Sequence, residues 1–280
     1  MRIAILGASG VAGRALLPLL LERGHLLRAA VRSAAAAQAL TRPGIETVMC
    51  DILAAPSLAP LLIGCDAVIN LATAIPRSGS SATWAVNDRV RAEGTPNLIA
   101  ACTQAGVPRL VQQSVAMLHC VDDSRAQTED DALEGYGAVL SSAQLEQAVM
   151  AAPLDWRIAR GGLFYGLDSG REEIWAGEIN TPEFRVPGDG RAWHSPVHVR
   201  DFARALVRIV EHADTRQAYI VCDDAPLTLN NLYSQVARKH GRPLPPTGGP
   251  LRMRSFRTSN AKLRGIGWTP EYPTLEAGLR

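Results

Sequence analysis

In the opening stretch "MRIAILGASGVAG" a short apolar run, Ile3 to Leu6, meets glycines at positions 7, 10 and 13. That junction narrows the possible folds more than any other feature of the chain. The run is a buried strand, and the residues from Val11 onward repeat at helical spacing, so the glycines join a strand to a helix. The first glycine permits the tight turn, the second lets a pyrophosphate approach the backbone, and the third lets helix and strand pack closely. The helix N-terminus adds free N–H groups and a partial positive charge. Glycines at this spacing are weak evidence alone; directly after the first strand and opening the first helix, they read as a dinucleotide-binding turn.

The rest of the first half repeats the pattern. "LRAAVR" (27–32), "IETVMC" (45–50), "CDAVINLA" (65–72), "PRLVQQS" (108–114) and "DWRIAR" (155–160) are apolar runs of strand length. The spacing between them predicts helices over 11–23, 33–40, 81–105 and 134–149. Continuous apolar strands alternating with helices build βαβ units, giving an α/β fold with a doubly wound, Rossmann-type parallel sheet. After Arg160 the rhythm breaks. Residues 161–195, rich in Gly, Pro, Trp and charge, are expected as loops with short elements. A helix over 199–212, a strand over 218–223, a helix over 228–240 and a last helix near 258–265 with an irregular tail follow. The expected organisation is a dinucleotide-binding core over 1–160 and a smaller substrate lobe over 161–280, with about 195–223 crossing back to the core.

Composition excludes several classes. A formal net charge of +2 gives no electrostatic argument for nucleic acid or an anionic membrane. No stretch approaches the roughly 18 uninterrupted apolar residues of a membrane helix, and because the opening residues read as a strand and a turn, no secretory leader is expected. The cysteines, Cys50, Cys65, Cys102, Cys120 and Cys222, are scattered singly. That pattern points to reduced thiols in a cytoplasm and to no metal site.

The second strand bears on which dinucleotide binds. An Asp or Glu at its end grips ribose hydroxyls in NAD sites, whereas an arginine suits a 2′-phosphate. This chain reads "AAVRS", with Arg32 in that place and no acid nearby. NADP(H) is therefore expected over NAD. Asp51, ending the third strand, is placed to hydrogen-bond an adenine amino group or to serve as a turn residue.

With these pieces assembled, the chain resembles the short-chain dehydrogenase/reductase superfamily, in its extended and atypical branches of the NAD(P)-dependent epimerase/dehydratase type. The resemblance runs nearly end to end. "GASGVAG" looks like that superfamily's cofactor turn and "AVINLAT" like its fourth strand. "NDRVRAEGTPNLIAAC" is similar to its N…GT-NLL-A helix, matching at Asn87, Gly94, Thr95 and Asn97. "RIARGGLFYG" resembles the exit of the sixth strand, with Gly161 where proline is usual. "GDGRAWHSPVHVRDFARAL" looks like the return segment, and "SNAKLRGIGWTPEYPTLEAGL" like the C-terminal signature, with Lys262, Gly267, Trp268 and Pro270 in place. The resemblance implies cofactor contacts from Gly7, Ser9, Gly10, Val11, Gly13, Arg32, Asp51, Ile52, Leu71, Ala72, Thr73 and Leu163.

The superfamily's catalytic machinery does not carry over. It uses a Ser or Thr after the fifth strand and a Tyr-x-x-x-Lys on the next helix. The lysine lowers the tyrosine's pKa and holds the cofactor ribose. Here "QQSVAMLHC" follows the fifth strand, with Val115 at the serine position and Ser114 one residue early. Anchoring the helix on Glu146 puts Ala138 and Ser142 at the Tyr and Lys positions; anchoring on Tyr136 puts Leu140 at the Lys position. The only lysines are Lys239 and Lys262. Tyr136 is the expected catalytic residue, as an acid or hydrogen-bond donor, with Tyr165, His119 and His194 as alternatives.

The implied function is an NADP(H)-dependent oxidoreductase acting on a small organic substrate without the Tyr/Lys pair. Two alternatives stand beside it: a non-catalytic NADP(H)-binding redox sensor or assembly factor, and a sugar-nucleotide epimerase or dehydratase. The lobe from Gly162 to Trp193 would cover the substrate, and the loop Thr73 to Trp84 would lie across the nicotinamide. The resemblance implies a homodimer interface on the helices at 81–105 and 134–151; the alternative is that they simply cover the sheet.

Overall fold

The computed structural model describes residues 1–76, 81–120 and 125–279, with side chains at all of them except 81–83 and 138. The chain gathers into two compact units, each assembled from three segments: Met1–Ser114, Gly135–Ala159 and Ala203–Ala218 form the first, and Val115–Glu134, Arg160–Phe202 and Tyr219–Arg280 the second.

The elements follow in order as β1 (Arg2–Leu6), α1 (Val11–Glu22), β2 (Leu26–Val31), α2 (Ala34–Leu40), β3 (Ile45–Met49), α3 (Leu58–Leu62), β4 (Ala67–Asn70), α4 (Ser81–Ala92), α5 (Gly94–Ala105), β5 (Arg109–Val115), α6 (Leu140–Met150) and β6 (Asp155–Gly161). Then come β7 (Leu163–Tyr165), α7 (Arg171–Ile179), β8 (Val186–Pro187), β9 (Trp193–His194), β10 (Pro196–His198), α8 (Val199–His212), β11 (Gln217–Val221), β12 (Leu227–Thr228), α9 (Leu229–Lys239), β13 (Thr247–Gly249), α10 (Ala261–Gly265) and α11 (Leu275–Gly278).

Seven strands make one sheet in the order β11-β6-β5-β4-β1-β2-β3. The registers of β1 with β2 and β4, of β2 with β3 and of β4 with β5 are parallel. Strand order reverses beside β1, because the chain moves outward through β2 and β3 and then crosses to β4. Such a switch point opens a crevice at the carboxyl ends of the two diverging strands, here Leu6 and Asn70. The strands read as unbroken apolar runs because both faces are covered: Ile3, Ala4, Ile5, Val68 and Ile69 are all fully buried. Leu16, Leu17 and Leu20 of α1 are equally buried, at the spacing that gives a helix one apolar stripe.

Three expected helices are corrected by the structure. The single helix predicted over 81–105 is two, α4 and α5, parted at Glu93. Pro96 has no N–H to bond the Ala92 carbonyl, so the ladder cannot run through. Gly94 opens α5 where a Cβ would stand 2.8 Å from Ile52 Cγ2. The helix predicted to begin at 134 begins at Leu140. Gly137 takes a positive φ of 41° and Tyr136 is extended at φ −141°, ψ 150°, so Tyr136 precedes the helix rather than riding on it. Likewise the last helix begins at Ala261 rather than near 258, and the tail expected to be irregular contains α11, capped by the Thr274 hydroxyl accepting from Ala277 N at 3.1 Å.

The second unit has its own core, in which Tyr165, Trp175, Val186, Ile220, Leu232 and Phe256 are packed. Asp201 fastens the C-terminal segment to it. Its two carboxylate oxygens accept from Glu271 N at 2.7 Å and Tyr272 N at 2.8 Å. All five cysteines are free and buried. No helix among the described residues is long and apolar enough to cross a membrane, and no group of His, Cys, Asp and Glu among them is arranged to hold a metal.

Candidate functional site

A crevice in the first unit lies at the switch point. Its lining comes from the end of β1 and the glycine turn (Leu6, Gly7, Ser9, Gly10), the end of β2 (Ala30, Val31, Arg32), the end of β3 (Cys50, Asp51, Ile52), the end of β4 (Leu71, Ala72, Thr73) and Val90 of α4. Of the cofactor contacts expected from sequence, Gly7, Ser9, Gly10, Arg32, Asp51, Ile52, Leu71, Ala72 and Thr73 line this one crevice. Val11, the first residue of α1, and Gly13 lie outside it, and Leu163 belongs to the core of the second unit.

The glycines divide the work of the turn. Gly7 sits at φ +74°, and a Cβ there would lie 2.5 Å from the Leu71 carbonyl oxygen. The turn must therefore press against the carboxyl end of β4, which leaves no room for a side chain. Gly10 donates its N–H to the Gly7 carbonyl at 3.0 Å and caps α1 with no side-chain acceptor. Arg14 N is the first to reach back, to Gly10 O at 2.9 Å. The N–H groups ahead of it at the start of α1 have no acceptor among the described residues, as suits a phosphate-binding turn. A Cβ at Gly13 would meet the carbonyl oxygens of Gly7 and Ala8 at 2.4 and 2.5 Å. Gly13 shapes the crevice from behind by letting α1 close on the turn.

Arg32 is exposed on the rim, next to Ser33, whose hydroxyl caps α2 by accepting from Ala36 N at 3.2 Å. Asp51 is half-buried. Its Oδ1 accepts from Leu53 N at 3.0 Å and its own N–H donates to Ser57 Oγ at 3.0 Å. These bonds hold the side chain at the lip while Oδ2 has no hydrogen-bond partner among the described residues. Cys50 and Val90 were not singled out in the sequence. A buried thiol on one strand and a helical valine carry no local signal, and Val90 reaches the crevice only through the placement of α4.

At the start of α6 the structure buries a cation that is not a lysine. Tyr136 is half-buried immediately ahead of the helix. Arg91 of α4, 5% exposed, donates from Nη1 to Ser141 Oγ at 3.2 Å. Burial pulls its guanidinium below the ordinary arginine range, with Asp88 acting in the opposite direction. The first unit thus buries an arginine against the start of α6, contributed by a helix that no motif links to it. Ser142 and Ser114 are buried, and neither hydroxyl has a hydrogen-bond partner among the described residues.

The other proton carriers weighed from sequence are all in the second unit. Burial, reinforced by Arg160, pushes His119 down to about 3. Burial and the charge of Arg171 push His194 down to about 4. Both imidazoles are neutral at pH 7 and do not change charge near it. Tyr165 is fully buried, donates to Thr274 O at 3.2 Å, and is raised far above the usual phenol range by burial and neighbouring acids.

Residues 7–213 match a family described as NAD(P)H-binding. Over 306 aligned positions, spanning 100% of this chain and 99% of the relative, the chain is 29% identical to the 3-diazoavenalumate denitrifying reductase of a Streptomyces species. It is 28% identical to the 4-hydroxy-2-methyl-3-oxo-4-farnesyl-3,4-dihydroquinoline-1-oxide ketoreductase of Stigmatella aurantiaca, over 86% of this chain and 74% of the relative. Among solved structures, the dTDP-glucose 4,6-dehydratase DesIV of Streptomyces venezuelae with NAD bound superposes with a TM-score of 0.86 at 22% identity, covering 99% of this chain and 94% of that one. The UDP-glucose 4-epimerase of Thermus thermophilus with NAD superposes with a TM-score of 0.82 at 21% identity, covering 99% and 96%. These likenesses show the Rossmann-like fold.

Proposed function

Because the chain belongs to the NAD(P)H-binding family, we propose that it is an NADP(H)-dependent oxidoreductase of atypical short-chain dehydrogenase/reductase type acting on a small organic substrate. The observation that carries the choice of NADP(H) is Arg32. It lies on the rim where β2 ends, and the one acid lining the crevice among the described residues, Asp51, follows the end of the next strand. A guanidinium at that edge recognises a 2′-phosphate by charge-assisted hydrogen bonds, worth about 1.5–3 kcal/mol where the partner is charged. Arg32→Ala is therefore expected to weaken NADPH binding roughly 10- to 100-fold while leaving NADH binding unchanged. Titrating cofactor-stripped protein with both nucleotides checks this. Equal losses for NADPH and NADH would give Arg32 a role other than reading the phosphate.

When bound, the cofactor supplies or takes the hydride. The chain's own task is to bind, orient and deliver a proton. We assign the proton to Tyr136, acting as a neutral O–H donor, since the imidazoles of His119 and His194 stay uncharged near pH 7. Both relatives named above are called reductases, and the reduction of a carbonyl asks for a proton donor at the product oxygen rather than a strong base. With a carbonyl or quinone substrate found by screening NADPH oxidation, Tyr136→Phe is expected to lower kcat about 100-fold. NADPH affinity should be unaffected. An unchanged kcat would assign proton delivery to solvent.

A further inference from the structure

Two buried amides stand behind the wall of the crevice that follows β4. Asn70 and Gln112 face each other across β4 and β5 as register partners, and each is 1% exposed. Asn70 Nδ2 donates to Gln112 Oε1 at 2.9 Å, and Gln112 Nε2 donates to the Gln113 carbonyl at 2.8 Å. Asn70 Oδ1 accepts from Ala72 N at 3.1 Å. Every polar atom of both amides thereby has a partner, and the bonds dictate how each amide is turned. Gln112 reversed would set its oxygen against the Gln113 carbonyl, and Asn70 reversed would set its NH2 against the Ala72 N–H. A buried network satisfied throughout specifies one arrangement.

Ala72 needs a side-chain acceptor because the ladder ends just before it. Leu71 N still pairs with β1, through Leu6 O at 3.0 Å, but beyond Leu6 that strand turns away at Gly7, φ +74°. The next N–H of the wall goes to Asn70. At Ala74 the chain is held again, its N–H donating to Oδ1 of the fully buried Asn87 at 3.0 Å. Thr73 lies exposed between these two anchored residues, and Leu71, Ala72 and Thr73 all line the crevice. Sheet stability alone does not ask for amides at 70 and 112, since replacing both partners of a buried bond by apolar groups of the same shape is nearly neutral. What the amides supply, and an apolar pair would not, is the acceptor that fixes the backbone at Ala72.

We propose that Asn70 is a positioning residue for the ligand of the crevice, acting through the Ala72 main chain, and that Gln112 keeps the Asn70 amide turned toward that N–H. Naming the ligand as NADP(H) rests on the oxidoreductase reading. Neither Asn70 nor Gln112 lines the crevice; together they set where Leu71, Ala72 and Thr73 stand against the nucleotide.

The test compares Asn70→Ala with Asn70→Ser in the full chain by NADPH titration, urea unfolding and amide hydrogen exchange. Both substitutions remove the bond to Gln112 and leave a similar space, but only the serine hydroxyl can accept from the N–H two residues on. The alanine variant is expected to bind NADPH about 10-fold more weakly than wild type and the serine variant within about 3-fold of it, while the two unfold alike. Ala72 N should exchange about 10-fold faster in the alanine variant only. Gln112→Met should weaken binding about 3-fold alone and add nothing to Asn70→Ala, because it acts through Asn70. The proposal is overturned by equal affinities of the alanine and serine variants, by wild-type affinity in Asn70→Ala, or by an additive loss in the double variant. Should the Asn70 variants fail to fold, Gln112→Met decides: weaker binding at wild-type stability supports the proposal, and unchanged binding overturns it. Wild-type protein that binds neither NADPH nor NADH would overturn the oxidoreductase reading, and exchange at Ala72 would then report the positioning by itself.

Discussion

Gly7→Ala is expected to abolish dinucleotide binding and to destabilise the first unit by about 3–4 kcal/mol, combining strain at positive φ with backbone overlap. Two independent effects coincide at this position. At φ +74° an alanine incurs the left-handed penalty of about 1–2 kcal/mol. Its Cβ would also stand 2.5 Å from the Leu71 carbonyl oxygen, and a main-chain atom in a packed sheet cannot rotate away as a flexible side chain would. Relief requires the ends of β1 and β4 to separate, and those ends are the walls of the crevice. Gly24 provides the control, with an equally positive φ of 77° and nothing within 4 Å of its Cβ. Gly24→Ala should show the conformational penalty alone. Gly10 separates stability from binding, because its Cβ would meet only Gly7 O, at 3.1 Å. Gly10→Ala should stay close to wild type in stability and still lose nucleotide, since the added methyl occupies the face a pyrophosphate must approach. Urea unfolding together with NADPH titration of the three variants checks the ordering. Equal stability of Gly7→Ala and Gly24→Ala would show that the overlap at Leu71 relaxes freely.

Asp201→Ala is expected to release the C-terminal segment of the second unit. The carboxylate is 1% exposed and accepts two main-chain N–H groups, from Glu271 and Tyr272. Removing it takes the acceptor from two part-buried donors, at about 0.5–1.5 kcal/mol each. Asp201→Asn keeps one acceptor oxygen and should cost about half as much. The Trp268 indole donates to the main-chain carbonyl of Asp201 at 3.3 Å, a bond that neither substitution removes. Amide hydrogen exchange reads the effect where it occurs. Glu271 and Tyr272 should exchange at least 10-fold faster in Asp201→Ala than in the wild type, as a loss of that size requires. Unchanged protection there would mean that packing rather than the carboxylate holds the segment. The sequence marked Asp201 as one residue of a family-like return segment, and the structure shows what it holds.

Much of the first unit could be read from local pattern. Period and apolarity placed the strands to within a few residues, because a strand buried on both faces must be apolar at every position. The glycine turn, Arg32 and Asp51 were legible because each follows the end of a strand by a fixed small offset, and parallel strands bring those ends to one edge. The misreadings share a cause. Apolar spacing continues through Glu93 and through residues 134–139, but spacing is blind to one missing N–H at Pro96 and to a glycine that leaves the helical region at position 137.

By itself, then, the sequence determined the βαβ architecture, the glycine turn after β1 and the absence of a lysine beside Tyr136, all of which are written in residues close along the chain. Only the tertiary structure decided that Arg91 lies buried against α6, that Val90 lines the crevice, and that His194 is buried with neither ring nitrogen partnered among the described residues. Those pairings join residues tens of positions apart, and whether a charge finds a partner depends on what surrounds it after packing, which no spacing along the chain records.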